Sequence, residues 1–175
     1  MGCGTVFKLT PPAHGETGWT ETVLWSFTGG RDGCYPQAEL FPRNEFPLGK
    51  KTLYGAASGL GCGNGAVFKL TDGSLTTLWA FTGGSDGAHP LAGLIADKTG
   101  ALYGTTTGGG ASGNGTVFKI DPIGQTLTTI WSFSSSDGSY PASSVIVDER
   151  GALYGTTLGG GASGKGTVFK LTPPG

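Results

Sequence analysis

Hydrophobic and polar positions along the chain fall into short runs, none of which carries a helical stripe of useful length. The clearest stretch is 91–133. Leu91–Asp97 is a brief apolar run after Pro90, and Asp97-Lys98-Thr99-Gly100 is a turn. Ala101–Thr106 is a second run, Gly108–Gly115 a glycine-rich loop, and Thr116–Ile120 a third run. A turn at Asp121–Gly124 leads to a fourth run, Thr126–Phe133, rich in β-forming residues. Runs of this length between Gly, Pro and Asp clusters predict strands. The unit is therefore four strands: a (after the proline), b (Leu-Tyr-Gly), c (Val-Phe-Lys-Leu) and d (Trp-x-Phe).

The pattern recurs. Val-Phe-Lys-Leu/Ile starts at Val6, Val67, Val117 and Val168, and Leu-Tyr-Gly at Leu53, Leu102 and Leu153. Trp-x-Phe starts at Trp25, Trp79 and Trp131, and Asp-Gly-x-x-Pro at Asp32, Asp86 and Asp137. All four markers give a period near 51 residues, with insertions in the first unit around Ala13–Thr20 and Arg43–Lys50. Four antiparallel strands at about 40–50 residues per repeat is the signature of a β-propeller blade. The expected fold is all-β: about three propeller-like blades in an open arc or part of a larger propeller. The units are a partial blade at 1–33, blades at 34–82 and 83–134, and a partial blade at 135–175. Counted in order the strands are c–d, a–b–c–d, a–b–c–d and a–b–c. The arc is expected to continue into further repeats or to be completed by a second copy. Trp and Phe of each strand d, two apart, are expected to fill the gap between blades together.

Composition agrees. Glycine (35) and proline (10) make up about a quarter of 175 residues, a share that means disorder unless a period organises it. Net charge is −1, with 11 Lys+Arg against 12 Asp+Glu, so no basic surface for nucleic acid is expected. No apolar run approaches a membrane span. No signal peptide is visible after Met1, and Val6 stands where a myristoylation motif wants Ser or Thr.

The motif string Gly-Thr-Val-Phe-Lys-Leu-Thr-Pro, Leu-Trp-Ser-Phe-Thr-Gly-Gly-x-Asp-Gly-x-x-Pro and Gly-x-Leu-Tyr-Gly-Thr-Thr-x-Gly-Gly resembles the GloVer tandem repeat of bacterial surface and exported proteins. It resembles the NHL-type propeller blade more loosely. The resemblance implies a repeat domain outside the cell, without catalytic residues to carry over.

Antiparallel order puts the d–a and b–c loops on one face, where long loops collect. Tyr35, His89 and Tyr140 precede the prolines and would ring the central mouth if strand a is innermost. They are candidates to stack on a carbohydrate or a peptide, against a plain role in blade packing. Asp32, Asp86 and Asp137 are candidate ligand or Ca²⁺ contacts, against ordinary Asp-Gly turn chemistry, which weighs more. Neither a cofactor nor a metal site is expected, since Cys3, Cys34, Cys62, His14 and His89 show no ligand spacing. Gly159–Thr167 looks like a phosphate loop, and 108–113 like a dinucleotide fingerprint, but a strand follows each where a helix is required. Cys34 and Cys62 fall in loops of one face and are a possible disulfide, leaving Cys3 free. The sequence favours a non-enzymatic binding or display module. The alternatives are a propeller lyase or hydrolase using Asp32, Asp86, Asp137, Glu39 or His89, and a structural spacer.

Overall fold

The computed structural model describes residues 2–15, 17–45, 50–123 and 125–173. The part of the Arg43–Lys50 insertion at 46–49 lies outside them, as does Met1 of the lipidation motif. Among these residues all regular structure is β, in thirteen strands. An N-terminal hairpin pairs β1 (Thr5–Thr10) with β2 (Thr20–Ser26). The first full sheet runs β3 (Phe41–Glu45), β4 (Lys50–Ala57), β5 (Ala66–Thr71), β6 (Ser74–Ala80). The second runs β7 (Ile95–Ala96), β8 (Leu102–Thr106), β9 (Thr116–Asp121), β10 (Thr126–Ser132). The C-terminal sheet is β11 (Ile146–Val147), β12 (Leu153–Thr156), β13 (Val168–Leu171). Every pairing between these strands is antiparallel and joins chain neighbours. The result is the propeller-like open arc of blades that the period predicts.

Strand c is the heart of each blade. In β5 and β9 four of the six residues are buried, the first three in succession and so without in–out alternation, because a blade is covered on both faces by its neighbours. The phenylalanine of strand c lies across the glycine of Leu-Tyr-Gly on strand b. A Cβ built on Gly55, Gly104 or Gly155 would sit 2.5–2.6 Å from Cζ of Phe68, Phe118 or Phe169. The motif therefore has glycine where the ring passes. From the other side, the strand-d phenylalanine of the preceding blade meets that same ring edge-on. The pairs Phe27–Phe68, Phe81–Phe118 and Phe133–Phe169 have centroids 5.2, 5.3 and 5.1 Å apart. This geometry suits two ring quadrupoles.

Two expectations need correcting. Strand a is only two residues long in the second and C-terminal sheets. The indoles share the inter-blade gap only in part: Phe81 and Phe133 are buried, whereas Trp131 is 43% exposed. A bulge in each strand d, at Leu24, Leu78 and Ile130, sets the register of this end. The Arg43–Lys50 insertion is part of the ladder in its described residues. It lengthens the a–b hairpin, adding Arg43↔Thr52, Asn44↔Lys51 and Glu45↔Lys50 to the ladder.

Strand a is the inner edge. A Cβ on Gly93 would meet Cβ of Glu39 and Oγ of Ser144, each at 3.2 Å. These three residues hold one repeat position in consecutive blades, so the leaders of strand a converge where the blades meet.

Candidate functional site

The long-loop face is built around one backbone device. Tyr35, His89 and Tyr140 all have φ near +56° (55°, 57° and 56°), which non-glycine residues seldom adopt. Each N–H donates back to the preceding b–c loop: Tyr35 to the Cys3 carbonyl at 2.8 Å, His89 to Asn64 at 2.8 Å, Tyr140 to Asn114 at 2.9 Å. Each carbonyl accepts from the following b–c segment, at Ser58, Thr107 and Leu158, all at 3.1 Å. The residue is thus a staple between consecutive units. A backbone so bound at both ends holds the strained conformation in place. The side chains remain at the surface, with Tyr35 38% and Tyr140 53% exposed. His89 is half-buried and its Nδ1 donates to the Ser58 carbonyl at 3.0 Å.

The three aspartates are spent inside their own loops. Asp32 accepts from the Thr28 N–H at 2.9 Å, the Thr28 hydroxyl at 2.7 Å and the Trp25 indole at 3.4 Å. Asp86 repeats this with Thr82 (2.9 and 2.5 Å) and Trp79 (3.1 Å). Asp137 does so with Ser134 (2.7 and 2.9 Å) and Trp131 (2.9 Å). Burial pushes each carboxyl up, but the hydrogen bonds outweigh it and hold all three below the ordinary 3.8. They are loop locks with a tryptophan as the third donor. No group of three or more His, Cys, Asp or Glu able to hold a metal ion occurs among the described residues.

Cys34 and Cys62 form a disulfide with Cα atoms 6.5 Å apart, and Cys3 is free. The bridge ties the d–a loop to the b–c loop of the following blade. Cys3 stands beside it: a Cβ on Gly29 would lie 3.0 Å from Cys3 Sγ and 3.9 Å from Cys62 Cβ.

The opposite face carries a site that sequence reasoning missed. A cleft of about 710 Å³ lies between the first and second full sheets, bordered by β3, β4 and β5 of the first and by the a–b and c–d turns of the second. Its lining includes Arg43, Lys69 and Lys119 against one carboxylate, Asp121. The cleft exists because Arg43 stands where the later repeats have Asp97 and Asp148. There the aspartate closes the a–b turn. Asp97 accepts from Thr99 N–H at 2.8 Å, Ala101 N–H at 3.0 Å and Tyr103 Oη at 2.9 Å, and Asp148 does the same with Arg150, Ala152 and Tyr154. Arg43 instead reaches across the gap and donates from Nη1 to the Gly100 carbonyl at 3.0 Å. The signal in the sequence was the insertion combined with a cation at the repeat's aspartate position.

A second cleft of about 560 Å³ borders β13, between Trp131 and Phe133 on one side and Phe169 and Lys170 on the other. No helix among the described residues is long and apolar enough to cross a membrane.

The family model described as the Gloeobacter/Verrucomicrobia repeat matches residues 1–175. None of the curated proteins compared matches the chain.

Proposed function

The chain belongs to the Gloeobacter/Verrucomicrobia repeat family, and from that premise we propose that it is a non-enzymatic binding module of an exported or surface protein, with carbohydrate as its ligand. The observation that carries the reading is the row of rings at Tyr35, His89 and Tyr140. One repeat position presents a ring three times, on a backbone fixed at the same left-handed φ. Rigid amphipathic rings supply contact area at little entropic cost. The aspartates on the same face are consumed by loop hydrogen bonds and do not compete with the rings as ligand contacts. The Cys34–Cys62 bridge supports an exported location, since disulfides persist in oxidising compartments.

Titration of the purified chain with a panel of neutral oligosaccharides tests this. Saturable binding is expected, weakened about fivefold or more by Tyr140→Ala, with the sugar recovered intact. Cleaved product would replace the reading with a polysaccharide-degrading enzyme. Absence of binding across the panel would remove carbohydrate as the ligand. Cell fractionation of the source organism tests location, and recovery only from the cytosol contradicts export.

A further inference from the structure

We propose that the cleft between the first and second full sheets is a second, independent site, which binds an acidic oligosaccharide through its carboxylate or sulfate groups. It lies on the face opposite Tyr35, His89 and Tyr140 and does not rest on the reading of that row.

Charge selects the ligand class. Arg43, Lys69 and Lys119 line the cleft together with Asp121, an excess of cations in a chain whose net charge is −1. Lys69 and Lys119 hold the same position of strand c in consecutive blades. What concentrates positive charge here is Arg43, because the next repeat places Asp97 at that position. Exchange of a carboxylate for a guanidinium reverses the sign of the cleft's rim. The Arg43–Gly100 bond uses one of the five guanidinium N–H donors and fixes the group across the gap, leaving donors for an oxyanion.

Size and lining select a saccharide over a bare ion. A volume of about 710 Å³ falls in the range of sites for drug-sized ligands, far more than one sulfate or phosphate fills. Asn44, Thr99 and Gln125 add neutral polar groups that suit hydroxyls. Ile123, 92% exposed at the rim, offers an apolar surface to the C–H face of a sugar ring.

The test is calorimetric titration of the full chain with four probes: a tetragalacturonate, a sulfated tetrasaccharide, a neutral tetrasaccharide and sodium sulfate. The expected result is saturable binding of at least one acidic tetrasaccharide, weakened by added salt and tighter than that of the neutral probe or sulfate. The double variant Lys69→Gln/Lys119→Gln should lose roughly tenfold or more in affinity. Lys8→Gln, at the same strand position in the N-terminal hairpin, should leave it unchanged. Circular dichroism shows whether each variant is folded, and Arg43→Ala serves in place of the double variant if that fails to fold. No binding of either acidic probe at millimolar concentration would overturn the proposal. So would sulfate binding as tightly as the oligosaccharides, or affinity that survives the loss of the cleft's cations.

Discussion

Tyr103 donates its hydroxyl to Asp97 across 2.9 Å, closing strand b of the second full sheet onto the turn that precedes it. Burial pushes the Asp97 carboxyl up, but bonds from Thr99, Tyr103 and Ala101 hold it below 3.8. Burial, then the bond to Asp97 and its charge, push the Tyr103 hydroxyl from 10.0 up to about 12. The two shifts have opposite consequences. A lowered carboxyl contributes stability that is present above 3.8 and lost as pH falls below it. A raised phenol contributes stability that is full below 10.0 and lost as pH rises toward 12. Melting temperatures of the parent and Tyr103→Phe should therefore differ by a constant amount between about pH 5 and 9, and converge toward both extremes. A pH-independent difference would show that the pair is not coupled.

Gly104→Ala should destabilise by roughly 1–3 kcal/mol, the usual cost of overpacking. The new Cβ would lie 2.5 Å from Cζ of Phe118 and 2.9 Å from Cδ2 of Leu94. Gly18→Ala is the control, since a Cβ there meets nothing within 4 Å. Thermal melts that rank the two variants equally would contradict the ring-over-glycine account.

Phe81→Ala removes a buried ring from the junction between the two full sheets and its edge contact with Phe118. About 3–5 kcal/mol of stability should be lost, as for other buried phenylalanines. Equilibrium urea unfolding measures it, and a loss below about 1 kcal/mol would mean the blades do not depend on this contact.

Thiol titration under denaturing conditions should find one reactive cysteine, Cys3, before reduction and three after it. Reduction should cost about 3–4 kcal/mol, the loop-closure value for cysteines separated by 28 residues. Three thiols without reductant would contradict the bridge.

Much of the fold was legible because its determinants are local. The 51-residue spacing and the Val-Phe-Lys-Leu and Leu-Tyr-Gly runs predict strands b and c with their order, and the strand inventory of each sheet follows. The candidate chemistry was less legible. Asp32, Asp86 and Asp137 read as turn residues, which they are, but a tryptophan six or seven positions earlier gave no hint of being their third donor. The left-handed φ of Tyr35, His89 and Tyr140 depends on carbonyls of the preceding repeat, so no local propensity reveals it. The Arg43 cleft depends on a contact from Arg43 to Gly100, 57 positions away, and on the direction an inserted hairpin takes. Neither is encoded in a window of neighbouring residues.

The central claim is that ligand meets the long-loop face through the rings at Tyr35, His89 and Tyr140. Backbone amide chemical shifts of the isotope-labelled chain, followed during titration with a neutral oligosaccharide that binds it, test this most directly. The account predicts that the largest changes cluster at these three residues and at Ser58, Thr107 and Leu158, whose N–H groups they accept. Changes confined to other parts of the chain, with these six amides unmoved, would contradict it.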